Sequence, residues 1–126
     1  MSRLHLPLAI ALLPFLAVGC SPRLEDEKTV DLTPEMVQKY STPSPLKNLT
    51  VNYQSDKPVS IYVVDTAQEF RDVENLTNRK PPAAPFAKDE KKSTGELSVT
   101  LTEKRSLTIL VVCDQATRVK VKMSGK

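Results

Sequence analysis

Tryptophan is absent, and only three tyrosines and three phenylalanines occur in 126 residues. An aromatic platform of the kind that stacks on sugars has few residues to draw on. The single histidine is His5, and none follows it. Ser-His-Asp and Cys-His catalysis, histidine metal sites and histidine pH switches are therefore excluded from the chain beyond that point. Only two cysteines, Cys20 and Cys113, are present. Of three glycines only Gly95 lies well inside the body of the chain, so there is no glycine-rich phosphate loop. No D-x-D-x-D-G calcium loop occurs, and no cofactor or metal is implied. Eighteen basic residues against 15 acidic ones give a net charge of +3, too weak a field to imply a nucleic-acid partner. The length allows one domain.

What is present begins at the N-terminus. Arg3 precedes an apolar run, Leu4 to Val18, interrupted by His5, Pro7 and Pro14. The run is too short to span a bilayer comfortably, and its prolines oppose a stable spanning helix. It closes on Ala17-Val18-Gly19-Cys20. This stretch resembles a bacterial lipoprotein signal with its lipobox at those four residues. The resemblance implies a signal peptide over residues 1–19, removed to leave Cys20 as the mature N-terminus. Cys20 would then be acylated on sulfur and again on its new amino group, tying the protein to the membrane. Ala17-x-Gly19 also suits an ordinary signal peptidase, which would release an unlipidated protein. In a host with two membranes, the resemblance, through Ser21, implies sorting to the outer membrane, facing the periplasm. Without Arg3 the mature chain has 17 basic and 15 acidic residues, a net charge of +2. With Cys20 committed to lipid, Cys113 has no partner for an intramolecular disulfide.

Residues 20–46 carry Pro22, Pro34, Pro43 and Pro45 and a mixed-charge run, Arg23 to Lys28, and read as a membrane tether. Within it Thr33-Pro34-Glu35 has helix-start signals, predicting a short helix to Tyr40 that packs on the domain or docks a partner. From residue 47 the period becomes two. Leu49, Val51 and Tyr53 alternate with polar residues, Ser55-Asp56-Lys57-Pro58 reads as a turn, and Val59, Ile61 and Val63 follow, predicting a hairpin. Thr66 and Glu69 match a capping box ahead of a helix through about Asn75. Thr77 to Gly95 reads as a long loop with Phe86 as a hydrophobic tip. Three further strands contain Leu97–Leu101, Leu107–Cys113 and Val119–Met123. Leu107–Cys113 is apolar on both faces and predicted to be central. The last strand presents Arg118, Lys120 and Lys122 on its polar face and is predicted at a sheet edge, where such charges discourage further pairing.

About five antiparallel strands with one buried face each need a second layer. The predicted fold is all-β: a small antiparallel β-sandwich over residues 47–126, with one short helix and a long loop. Its core would be the inward residues of each strand, from Leu49 to Met123, with Phe70 plugging one end. The alternation in Pro58–Asp65, Leu97–Thr102 and Leu107–Val112 loosely resembles small sandwich modules of the pre-peptidase C-terminal type, which implies a sandwich and transfers no site residues.

Three functions fit these residues unequally. The best fit is a non-catalytic envelope lipoprotein, a tethered β-domain contacting another envelope protein or the cell wall. Its possible interaction surface is Arg118, Lys120, Lys122 and Phe86. A ligand-binding module of the carbohydrate type is the alternative, and would be favoured by Tyr62 and a neighbouring polar cluster exposed on one flat sheet face. A hydrolase built on carboxylates alone would require two acids converging on a cleft. Asp72 and Glu74 diverge on a helix, and Asp89 and Glu90 adjoin in the loop, so neither pair meets that need. Cys113 shares a face with Ile109 and Val111 and reads as buried and inert.

Overall fold

A computed structural model describes residues 23–126. The predicted signal peptide and Cys20 lie outside the described residues. Among the described residues six strands pair antiparallel throughout: β1 Leu24–Leu32, β2 Gln38–Ser41, β3 Leu46–Asp65, β4 Ala87–Arg105, β5 Leu107–Cys113 and β6 Thr117–Gly125. A helix, α1 (Glu69–Thr77), follows a 3-10 turn at Thr66–Gln68. β3 is the spine. One of its edges pairs with β4, while the other pairs first with β6 and then with β5. β1 extends the sheet beyond β6, and β2 extends it beyond β5.

The result is a sheet of four long ribbons folded over across the middle. The bend runs through Ser55–Pro58 of β3, where four residues stand against Ser93 alone on β4. Extra residues on one strand of a pair bend it, and here they turn the spine back on itself. The β5–β6 corner at Asp114–Ala116 and the β1–β2 corner at Thr33–Val37 lie on the same line. Two layers thus face each other, joined at a hinge end. At the opposite, open end both ends of β3 come together: Arg105, registered opposite Leu46, donates from Nη1 to Asp65 Oδ2 at 2.8 Å.

The space between the layers holds the core. Leu49, Val51, Ile61, Val63, Ile109, Val111, Val119 and Val121 are all at most 1% exposed. These are inward positions that period two predicts. Leu101 is only partly buried at the margin. A second cluster, Tyr62, Val64 and Leu110, lies on the outer side of the β3–β5 layer beneath Val73 and Leu76 of α1. β5 is apolar on both faces because one face meets the core and the other meets the helix.

The antiparallel sandwich with one short helix is observed, but its parts are distributed differently from the sequence expectation. Ser55–Pro58 is a bend within one strand, not the turn of a hairpin: turn-forming residues also suit a bulge, and flanking partners decide between them. The described part of the expected tether, residues 23–46, supplies β1 and β2. Thr33–Met36 closes a turn, with Met36 N donating to the Thr33 carbonyl at 3.0 Å, and leads into a strand. Pro after a capping residue serves that turn as well as a helix start. β4 already begins at Ala87, so the loop is only 78–86. Its alternation is hidden because Lys88–Lys92 are all charged. Asp65, not Thr66, caps the 3-10 turn, accepting from Ala67 N at 2.9 Å. Phe70 is 82% exposed and plugs nothing.

Candidate functional site

Arg118, Lys120 and Lys122 do project from the polar face of β6, but β6 is not an edge strand. β1 covers its free side, placing Asp31 opposite Arg118 and Glu27 opposite Lys122. Arg118 Nε donates to Asp31 Oδ1 at 2.9 Å, and Lys120 Nζ lies 3.6 Å from Glu27 Oε2. The hydrogen bond and charge of Arg118 hold the Asp31 carboxyl below its ordinary range. Both side chains are well exposed, so the pair adds little to stability. Its consequence is electrostatic: the acidic strand largely neutralises the basic stripe. The charges therefore do not protect an edge; they specify the β1–β6 pairing.

The rest of this face is polar, with Asn52 and Gln54 on β3 and Glu96 and Ser98 on β4. A shallow groove of about 380 Å³ runs across it, past Lys120 and Lys122. No aromatic ring stands open on it. Tyr53 is 3% exposed and turned into the core, and Tyr62 is 4% exposed beneath α1. Tyr53 Oη donates to Asp89 Oδ2 at 2.7 Å, and Tyr62 Oη donates to Glu90 Oε2 at 2.7 Å. Burial, then the adjacent carboxylate, pushes the Tyr62 phenol up to about 12 and raises that of Tyr53 as well. The two phenols lie on opposite sides of the sheet, so Asp89 and Glu90, neighbours in sequence, diverge. Gly95 is needed beside this pair: a Cβ there would stand 2.6 Å from Tyr53 Oη.

The densest polar cluster fastens α1 to the open end of the β2–β5 layer. The Glu69 carboxylate accepts from Lys39 Nζ at 2.8 Å, Thr108 Oγ1 at 2.9 Å and Ser41 Oγ at 3.1 Å. Thr108 is fully buried, and its hydroxyl also lies 2.9 Å from that of Thr66. Lys39 is an ion-paired ammonium, and the hydroxyls spend their protons on the carboxylate, so the group positions a helix and does not activate a nucleophile. Bonding to Lys39, and then to Thr108 and Ser41, holds the Glu69 carboxyl below its ordinary value. A carboxyl with a depressed folded value stabilises the fold above its unfolded value near 4.5, and this contribution disappears as pH falls through the folded value. Glu69→Gln is expected to cost about 1–2 kcal/mol in urea denaturation at pH 7. At a pH low enough to protonate the native carboxyl as well, the deficit should shrink. An equal deficit at both pH values would contradict this account.

At the hinge end a groove of about 310 Å³ has Val37, Leu76, Val112 and Cys113 in its apolar floor, with Arg79 and Lys91 among its cationic lining residues. Arg79 and Lys91 are the two non-glycine residues with positive φ among the described residues, at 61° and 56°. Each has a structural cause. Arg79 ends α1, its N–H returning to the Leu76 carbonyl at 3.0 Å, and Lys91 occupies a bulge in β4. Cys113 is 5% exposed. Burial, then the nearby Asp114, pushes its thiol up, keeping it protonated and unreactive. Among the described residues no group of three or more Cys, Asp or Glu side chains is placed to hold a metal ion.

Phe86 is 40% exposed. Its N–H donates to the Val63 carbonyl at 2.8 Å, fixing it near the open end, far from the β6 stripe with which the sequence grouped it. Phe70 and the expected tether strands were missed as surface and scaffold elements respectively. Leu24, Val30 and Leu32 in a charged segment were the only sequence signal for β1. No protein-family model matches the chain, and no curated protein matches it. The functional reading therefore rests on the residues and their geometry.

Proposed function

We propose that this protein is a non-catalytic bacterial envelope lipoprotein, an interaction domain held at the membrane by acyl chains on Cys20. The lipobox residues Ala17 to Cys20 supply the anchor. The supporting structural observation is the start of the folded unit at Leu24, which pairs with Gly125 as the first of nine registered positions between β1 and β6. Three residues lie between Cys20 and Leu24, and the four steps along the chain reach at most about 14 Å. In this reading the sandwich sits on the membrane instead of hanging from a long tether. Any partner, another envelope protein or the cell wall, is met close to the bilayer, and in a host with two membranes Ser21 favours the outer one. The divergent carboxylates and the lack of histidine beyond His5 favour a binding role over catalysis.

The test is the mature N-terminus. Intact-mass and peptide analysis should find Cys20 first in the chain and acylated, and Cys20→Ser should lose firm membrane attachment in salt-washed fractions. A wild-type N-terminus that is processed but carries no lipid would overturn the anchor.

A further inference from the structure

The open end of the sandwich gathers two exposed phenylalanines and four exposed cations. Phe70 and Phe86, 82% and 40% exposed, are two of the three exposed large hydrophobic residues among those described, and both lie there. Phe70 is in the first turn of α1, next to Glu69 and its bonds to Ser41 and Thr108. Phe86 enters β4 beside the end of β3. Arg23, Lys47, Lys104 and Lys126 are exposed at the same end. Lys47 N and Asn48 N both donate to the Lys126 carbonyl at 3.0 Å, which sets the β3 and β6 termini side by side. None of these four cations has an ion-pair partner among the described residues, whereas Arg105 is paired with Asp65 and Lys39 with Glu69. Glu25 and Glu103 are the unpaired acids nearby, so cations predominate. The chain also enters the fold at this end, through Leu24.

We propose that the open end is a membrane-docking surface, with Phe70 and Phe86 entering the interface and Arg23, Lys47, Lys104 and Lys126 meeting anionic headgroups. The proposal rests on the Cys20 anchor reading and adds an orientation to it. Three separate features agree on the occupant. The short reach from Cys20 brings this end, not the hinge, to the bilayer. Exposed phenylalanine keeps apolar surface in water unless an apolar phase receives it. Lysine and arginine near a membrane are drawn to acidic lipids. The β6 stripe is a poorer candidate because Asp31 and Glu27 already answer it.

The lipidated protein would be reconstituted into vesicles of phosphatidylethanolamine with phosphatidylglycerol, and backbone hydrogen exchange compared with that in phosphatidylcholine vesicles. Exchange at residues 42–47, 66–71 and 103–106 should slow by about tenfold in the anionic vesicles, while residues 55–58 and 114–116 at the hinge stay unchanged. Phe70→Ser with Phe86→Ser, and separately Gln at the four cations, should each abolish most of that slowing. All six positions are exposed, and unchanged exchange in the core strands would verify that the variants fold. Equal exchange in both vesicle types, or slowing confined to the hinge, would overturn the orientation while leaving the anchor intact. Slowing lost in an Arg118→Gln, Lys120→Gln, Lys122→Gln variant but kept in the open-end variants would overturn it in favour of the sheet face. An unlipidated N-terminus would overturn the anchor reading and the orientation with it.

Discussion

A fragment comprising residues 47–126 is expected not to fold cooperatively, although it contains all five strand segments that hydrophobic alternation identifies. It lacks β1 and β2. Without β1, β6 loses its antiparallel neighbour at nine positions, and Val119, Val121 and Met123 lose the cover of Leu24, Val30 and Leu32. Leu32 is 1% exposed and Leu46, also missing, is 2% exposed. Burying one such side chain is worth about 1.5–3 kcal/mol. Losing two, with the partly buried Leu24, Val30 and Tyr40 and the Lys39–Glu69 bond, approaches the whole stability of a domain this size, about 5–15 kcal/mol. The 23–126 chain should show a single urea transition and strand-type circular dichroism. The shorter fragment should show neither. A cooperative transition at the same midpoint in both would mean that β1 and β2 are appendages.

The second large effect is a contrast between two apolar residues. Ile61→Ala should destabilise the protein by about 2–5 kcal/mol, because the side chain is fully buried at the centre of the spine. Ile61 stands between Val111 on β5 and Asp89 on β4, so its loss opens a cavity between well-held neighbours that cannot collapse into it. Phe70→Ala should change stability by no more than about 0.5 kcal/mol, since the ring is 82% exposed. Chemical denaturation of the two variants in parallel measures both. Similar losses would show that Phe70 packs on the domain after all. The contrast also bears on function, because a phenylalanine that contributes nothing to the fold is available for a surface.

The positions of these residues show where sequence reasoning stops. Alternation in 49–53, 59–63, 97–101, 107–113 and 119–123 identified nearly the whole core correctly. It could do so because successive side chains of a strand point to opposite faces, a property of the backbone that needs no knowledge of partners. The same rule could not find β1. Glu25, Asp26, Glu27, Lys28 and Asp31 look like solvated linker until β6 supplies Arg118 to meet Asp31 and Lys120 to meet Glu27. Charge likewise concealed the first third of β4.

Sequence alone determined the class of fold, most of the inward residues, the helix that follows Thr66 and the absence of histidine chemistry beyond His5. These follow from local period and from composition. Tertiary structure decided that Ser55–Pro58 bends one strand instead of joining two, that β6 is interior, and that Phe70 faces water. It also decided which cations are left without partners. Each of these depends on a neighbour far away in sequence: a bend is distinguished from a turn by what pairs across it. A charge or an exposed ring becomes a site only when the fold sets the rest of the surface around it.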